Sequence, residues 1–183
     1  MICSVLIPSR SASPGSLDRA VQSVFATAGN GAIEVLLRLD YDDPLLSKRL
    51  EVASRYQCLT VVGHRLKGYE SGGHFITELC DLAKGKWIAI MDDDGAYEGG
   101  SWLKFLAEQP DGVFCQPGIY NLGGSIYRDV DVGPVAMMIP RGSIYPIGDP
   151  PDTFLFQTAL KKGLKRVLIP GLTFHHYWRQ ERV

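Results

Sequence analysis

The sequence predicts an α/β protein: a mostly parallel sheet flanked by helices, with a small mixed-strand portion toward the C-terminal end. Three observations carry that expectation. Through the first half, short apolar runs alternate with segments whose apolar residues recur at helical spacing, the pattern of βαβ units with right-handed crossovers. Two of the runs end in acid, Asp40 after Ile33–Leu39 and Asp92-Asp93-Asp94 after Trp87–Met91. Open α/β sheets bind ligands outside the carboxyl ends of their strands. In the second half a long Gly-bearing polar stretch, Gln116 to Pro134, separates two apolar runs.

Taken in order, Ser4-Val5-Leu6-Ile7, closed by Pro8, reads as a first and central strand. Ser9 to Pro14 is a polar loop, and Ser16 suits the N-cap of a helix with apolar positions Leu17, Ala20, Val21, Val24 and Phe25. Gly29-Asn30-Gly31 ends it. Ile33–Leu39 is a second strand, and Leu45 to Tyr56 a helix with Leu46, Leu50, Val52 and Ala53 turned inward. Leu59–Val62 is a third strand. A loop with Gly68 and Gly73 leads into a helix, His74 to Ala83, that stops near Gly85. Trp87–Met91 then delivers the acidic triplet, and Trp102-Leu103 start a helix packed on the sheet. Val113-Phe114-Cys115 and Val135–Ile139 are further strands, and the long loop between them is of a length that marks function or mobility. Phe154 to Lys162 is a helix capped by Gly163. Arg166–Pro170 is a last short strand before the tail Phe174-His175-His176-Tyr177-Trp178-Arg179. No repeat or linker divides the chain, so residues 1–183 read as a single domain.

Bulk properties exclude several classes. Of the residues, 45% are hydrophobic and 21% charged, ordinary for a globular domain with a core of its own. Net charge is -1 and there is no basic run, which argues against nonspecific nucleic-acid or anionic-membrane binding. Cys3, Cys58, Cys80 and Cys115 are scattered without a CxxC pair, so a zinc knuckle or dithiol motif is not expected. Cys3, Cys58 and Cys80 lie in or beside apolar segments and read as buried thiols. A reducing cytoplasm is the simplest home for them. The chain has no run of eighteen apolar residues and its start does not resemble a signal peptide.

The acidic triplet is the chemical signal. Asp92 and Asp94 are two apart, so on a locally extended chain they face one way and Asp93 the other. Two carboxylates on one side of a strand end form a hard oxygen site for a divalent cation. Mg²⁺ takes one or two protein carboxylates and completes its shell with water and phosphate oxygens.

Several motifs in order then resemble a family 2-type glycosyltransferase with the GT-A fold, over nearly the whole chain. Ser4-Val5-Leu6-Ile7-Pro8-Ser9-Arg10 is similar to that family's first strand and nucleotide loop. Glu34-Val35-Leu36-Leu37-Arg38-Leu39-Asp40 is similar to its second strand ending in an acid. Ala83-Lys84-Gly85-Lys86-Trp87-Ile88-Ala89-Ile90-Met91-Asp92-Asp93-Asp94 resembles the run into its DxD signature. Asp152, a helix and Gly163, and then His175-His176, fall where that family has its catalytic acid and a late metal-site His. This chain departs from the pattern in Asp40-Tyr41-Asp42-Asp43 after the second strand, in Pro151 where the family carries Glu, and in Thr77 where many relatives carry Asn.

The resemblance implies a Rossmann-related GT-A domain, with residues 1–95 as nucleotide-binding half and 96–183 as acceptor-side half. It implies inverting transfer of a sugar from a nucleotide-sugar to an acceptor hydroxyl, with Mn²⁺ or Mg²⁺. Asp94 would be the direct metal ligand, Asp92 would share the metal and ribose, and Asp93 would stand behind them or face solvent. Pro8 and Ser9 would lie at base and ribose, and Arg10 would reach phosphate. Asp40 would accept the N3–H of uracil, which favours a UDP-sugar, while Asp42 and Asp43 suit a capping role. Asp152 would be the catalytic base, with Asp149 its competitor. Its place also suits the N-cap of the following helix. Of His175 and His176 only one can face the metal from an extended segment, and His175, coming sooner after Ile169–Phe174, is slightly preferred. Arg179 would clamp diphosphate, and the tail would order only with metal and nucleotide. The identities of sugar and acceptor stay open.

Two other classes compete at this level. A nucleotidyltransferase would need a Gly-rich, basic phosphate loop after the first strand, and Pro8 to Gly15 matches that poorly. A non-catalytic sugar-nucleotide or glycan binding module would have no need of the intact acids and late His together.

Overall fold

The computed structural model describes residues 1–9, 13–29, 31–64, 72–128, 136–148 and 150–177, and for Asp152 the backbone alone. Arg10, the loop residues 65–71, residues 129–135, Asp149 and the tail from Trp178 onward, Arg179 included, lie outside the described residues.

Cys3–Ser9 forms β1, almost wholly buried because it has parallel partners on both sides. One is β2, Ile33–Asp40; the other is β4, Trp87–Ile90, with Val5 opposite both Val35 and Ala89. β3, Leu59–Gly63, pairs parallel with the outer side of β2. The four strands are linked by α1, Pro14–Ala28, α2, Leu46–Arg55, and α3, Gly72–Leu82. The turn after β4 leads to β5, Gly95–Glu98, and α4, Trp102–Ala107. Then follow β6, Val113–Leu122, β7, Ser125–Arg128, β8, Met138–Pro140, α5, Pro151–Lys161, and β9, Lys165–His176. The sheet runs β3-β2-β1-β4-β8-β6-β9-β5, with β7 paired to β6. Its first four strands are parallel. In the remainder β8 is antiparallel to β4 and β6, β5 is antiparallel to β9, and β6 and β9 are parallel.

Strand alternation sorts the core into two layers. Val5 and Ile7 of β1, Val35, Leu37 and Leu39 of β2, and Trp87 and Ala89 of β4 face α1, α2 and α4. Leu6, Leu36 and Ile88 turn the other way, onto Ile76 and Leu79 of α3 and Leu155 and Ala159 of α5. Helices therefore cover both faces, as a parallel sheet requires. Among the described residues, no helix is long and apolar enough to cross a membrane.

Four expectations need correction. α1 starts earlier than Ser16: Ser13 caps it, its hydroxyl accepting from Ser16 N–H at 3.2 Å, and Pro14 takes the first turn, where a missing N–H costs nothing. In α2 the position turned fully inward is Arg49, while Leu50 is exposed. The expected loop from Gln116 is instead the continuation of β6 and a hairpin to β7, closed by Gly123 and Gly124 with φ of 59° and 95°. Positive φ at both centres is the twist-compatible two-residue turn, and glycine adopts it at no steric cost. The last strand does not stop at Pro170: Gly171, at φ 70°, carries the chain through the bend and β9 continues to His176. The irregularity sits where a proline on each strand lacks its donor, with a register shift between Pro117 and Ile119 opposite Ile169–Thr173.

Candidate metal and nucleotide site

The exits of β1, β2 and β4 lie side by side at the carboxyl end of the parallel half. Met91 still follows β1, its N–H donating to the Leu6 carbonyl at 3.1 Å. The triplet then turns, and Gly95 N–H donates to the Asp92 carbonyl at 3.1 Å. A Cβ on Gly95 would come within 2.5 Å of Phe174 Cζ, so a side chain there would push the fully buried Phe174. The turn, rather than an extended chain, separates the three carboxylates.

β9 supplies the imidazole. It pairs with β5 so that His176 stands opposite Gly95 and His175 opposite Ala96. The His176 carbonyl accepts from Gly123 N–H at 3.2 Å, and Tyr177 N–H donates to the Asp94 carbonyl at 3.1 Å. His176 Nε2 thereby lies 3.0 Å from Asp94 Oδ1 and 3.5 Å from Asp92 Oδ2. One ligand atom from each of the three lies within 4.8 Å of the others. Ligand atoms about 2.1 Å from a common ion stand about 3–4 Å apart, so the donor set fits a divalent cation. Two carboxylates with one imidazole suit Mn²⁺ better than Mg²⁺.

His175, the residue the sequence slightly prefers, points to the other face of β9. Its Nε2 lies 2.7 Å from Glu98 Oε2, its ring stacks on Tyr177 at 6.1 Å, and the Arg19 guanidinium lies 4.2 Å from the Tyr177 ring centre. It is not part of the cluster, because adjacent strand residues project to opposite faces. The tail expectation changes with it, since strand pairing with β5 and β6 supplies the tie for both His residues without a metal.

Asp93 faces inward and is buried, not solvent-facing. It accepts from the Ser9 hydroxyl at 2.7 Å and lies 3.7 Å from Arg49 Nη1. Arg49 also donates to Asp43 at 2.6 Å and to Ser9 Oγ at 2.8 Å. The Ser9 hydroxyl therefore belongs to this buried network, while Pro8, opposite Arg38, is half-buried at the exit of β1. Asp43 also accepts from Leu45 N–H at 2.8 Å, the turn role its place after β2 suggests.

Asp40 is buried at the end of β2, 2.9 Å from Arg38 Nη1. Arg38 reaches on to Glu78 of α3 at 2.9 Å and to the His64 carbonyl at 2.8 Å, and lies over the Phe75 ring at 4.4 Å. Asp152 is the second residue of α5, with Pro150 as N-cap, so the capping reading of Asp152 does not hold. Sequence reasoning missed Arg38 and Arg49. Each has a signal in retrospect: a lone charge inside an apolar strand run, and an Arg three residues before Val52 on the inward stripe of a helix.

The cysteines offer no nucleophile. Burial pushes the Cys58 thiol up to about 11 and those of Cys80 and Cys115 up to about 12, and raises Cys3 further still. Cys3 and Cys115 are fully buried, whereas Cys58 and Cys80 are only partly so, and Cys115 is the buried thiol the sequence did not point to.

No family model matches the chain, and no curated protein matches it in sequence. Solved structures do match its fold. TarS of S. aureus superposes with a TM-score of 0.68 at 10% identity, over 96% of this chain and 36% of that one. Residues 1–349 of TarS in complex with UDP-GlcNAc give 0.64 at 10% identity, over 100% of this chain and 62% of that one. The mannosyltransferase PcManGT of Pyrobaculum calidifontis, in complex with GDP-Man and Mn²⁺, gives 0.67 at 12% identity, over 96% and 56%. The fold is that of the GT-A glycosyltransferases, and the chain spans less than two thirds of the length of these structures.

Proposed function

We propose that this chain is a divalent-cation-dependent, inverting glycosyltransferase that moves a sugar from a nucleotide-sugar, preferentially a UDP-sugar, to an acceptor hydroxyl. The observation that carries the reading is the convergence of Asp92, Asp94 and His176 beside the exits of β1 and β2, in a GT-A fold whose solved neighbours hold UDP-GlcNAc or GDP-Man with Mn²⁺. The half up to residue 95 would take the nucleotide and the half from 96 the acceptor.

Asp94, Asp92 and His176 would hold the cation, which when bound neutralises the leaving diphosphate as a Lewis acid. Asp40 would accept the uracil N3–H, and Arg38, itself fixed by Glu78 and the end of β3, holds that carboxylate in one orientation. Pro8 would lie against the base. Asp92, half-exposed at the rim of the turn, would reach the ribose. Asp152, at the start of α5, would take the proton of the acceptor hydroxyl as its oxygen attacks the anomeric carbon. The bond from that carbon to the diphosphate oxygen breaks on the opposite side, which inverts the centre.

A panel of nucleotide-sugars, each assayed for nucleotide diphosphate release with Mn²⁺ and with chelator, tests the reading. Mn²⁺-dependent release from a UDP-sugar that disappears in Asp94→Ala supports it. Failure to bind any nucleotide-sugar in the presence of Mn²⁺ rejects it.

A further inference from the structure

We infer that Arg49 is a positioning residue for the donor site: one buried guanidinium ties the exits of β1, β2 and β4 together and sets the aim of the Asp92–Asp94 turn. The inference rests on the metal reading of that turn. Arg49 comes from α2 and is fully buried. It reaches Ser9 from β1 at 2.8 Å, Asp43 from the turn after β2 at 2.6 Å, and Asp93 from the turn after β4 at 3.7 Å, while Ser9 Oγ and Asp93 Oδ2 are themselves 2.7 Å apart.

Packing alone does not call for this residue. A Leu or Met of similar volume on the same stripe as Val52 and Ala53 would fill the space without the cost of desolvating a charge. The guanidinium differs by its planar fork, which holds more than one acceptor at fixed angles. Asp93 shares its backbone with Asp92 and Asp94. Held inward between Ser9 and Arg49, it stays out of the cluster, and its two neighbours are left to face His176. The partners behind a metal site set the aim of its ligands in this way, and their loss commonly weakens metal binding roughly 10–100-fold.

The experiment compares Mn²⁺ binding, measured by direct titration of the full chain without nucleotide, with chemical unfolding of the metal-free protein. The variants are Arg49→Lys, which keeps the charge and loses the fork, and Asp43→Asn, which loosens Arg49 through its contact in the turn after β2 without altering the triplet itself. A drop in Mn²⁺ affinity of about tenfold or more in folded Arg49→Lys supports the inference. Unchanged affinity with lower stability makes Arg49 a structural residue only and overturns it. If Arg49→Lys does not fold, Asp43→Asn is read by the same two criteria. Wild-type protein that binds no Mn²⁺ rejects the metal reading itself, whereas wild-type binding with unaltered variants rejects only the role of Arg49.

Discussion

His176 Nε2 stands 3.0 Å from Asp94 Oδ1 because β9 pairs with β5 in the register that sets His176 opposite Gly95. The same register turns His175 onto Glu98. The two neighbours should therefore behave differently. His176→Ala should weaken Mn²⁺ binding by roughly tenfold or more, on the scale seen when support around a metal is lost, and His175→Ala should change it little. Isothermal titration with Mn²⁺ on both variants checks this, and the opposite ranking would assign the ligand to the other face of β9.

Asp94→Ala should abolish the cation-dependent part of UDP binding while leaving the fold intact, since the residue closes a turn and is not in either apolar layer. Titration of UDP with and without Mn²⁺, beside a circular dichroism melt, separates the two effects. Cation-dependent UDP affinity equal to wild type would remove Asp94 from the site.

Asp152→Asn should lower kcat by roughly 10²-fold or more with little change in donor affinity, because a base acts on the acceptor in the transition state. Asn preserves size at the second position of α5, so helix stability should not confound the rate. Normal turnover in this variant together with loss in Asp149→Asn would move the base to Asp149.

Asp40→Ala should weaken UDP binding and leave CDP binding nearly unchanged, because only uracil offers an N3–H to the carboxylate. Equal losses for the two nucleotides would mean that Asp40 serves the fold through Arg38 and does not read the base.

Stability should fall as pH rises above about 9. Cys58, Cys80 and Cys115, with an ordinary value of 9.0, are raised by burial to about 11, 12 and 12, and Tyr97 is raised well above its ordinary 10.0. The folded state thus keeps protons that the unfolded chain releases, so the stabilisation is complete below pH 9 and is lost progressively as pH climbs toward the folded-state values. Urea unfolding midpoints between pH 8 and pH 10.5 should decline. A flat profile would contradict the burial of these groups.

The sequence by itself determined the elements whose cause is local. Apolar runs bounded by Gly and Pro mark the four parallel strands, and helical spacing marks the helices between them, because period and burial are written along one segment. The acids at the ends of β2 and β4 are likewise legible, since strand ends in such sheets open toward ligand. What only the tertiary structure decided depends on residues far apart in the chain. Which of His175 and His176 meets the acids is a matter of strand parity. Parity is set by pairing with β5 and β6 across a bend at Pro170 and Gly171, where local alternation cannot be carried through. The hairpin after Cys115 reads as a loop because Gly and polar residues interrupt its apolar positions, and its backbone partners come from β7 folding back on β6 and from β9 alongside β6. Arg38 and Arg49 gain their roles only when Glu78 of α3 and Asp93 of the turn after β4 join Asp40 and Asp43 around them. A buried charge is tolerable only with partners; Asp40 and Asp43 stand near in the sequence, but Glu78 and Asp93 are brought in by the fold.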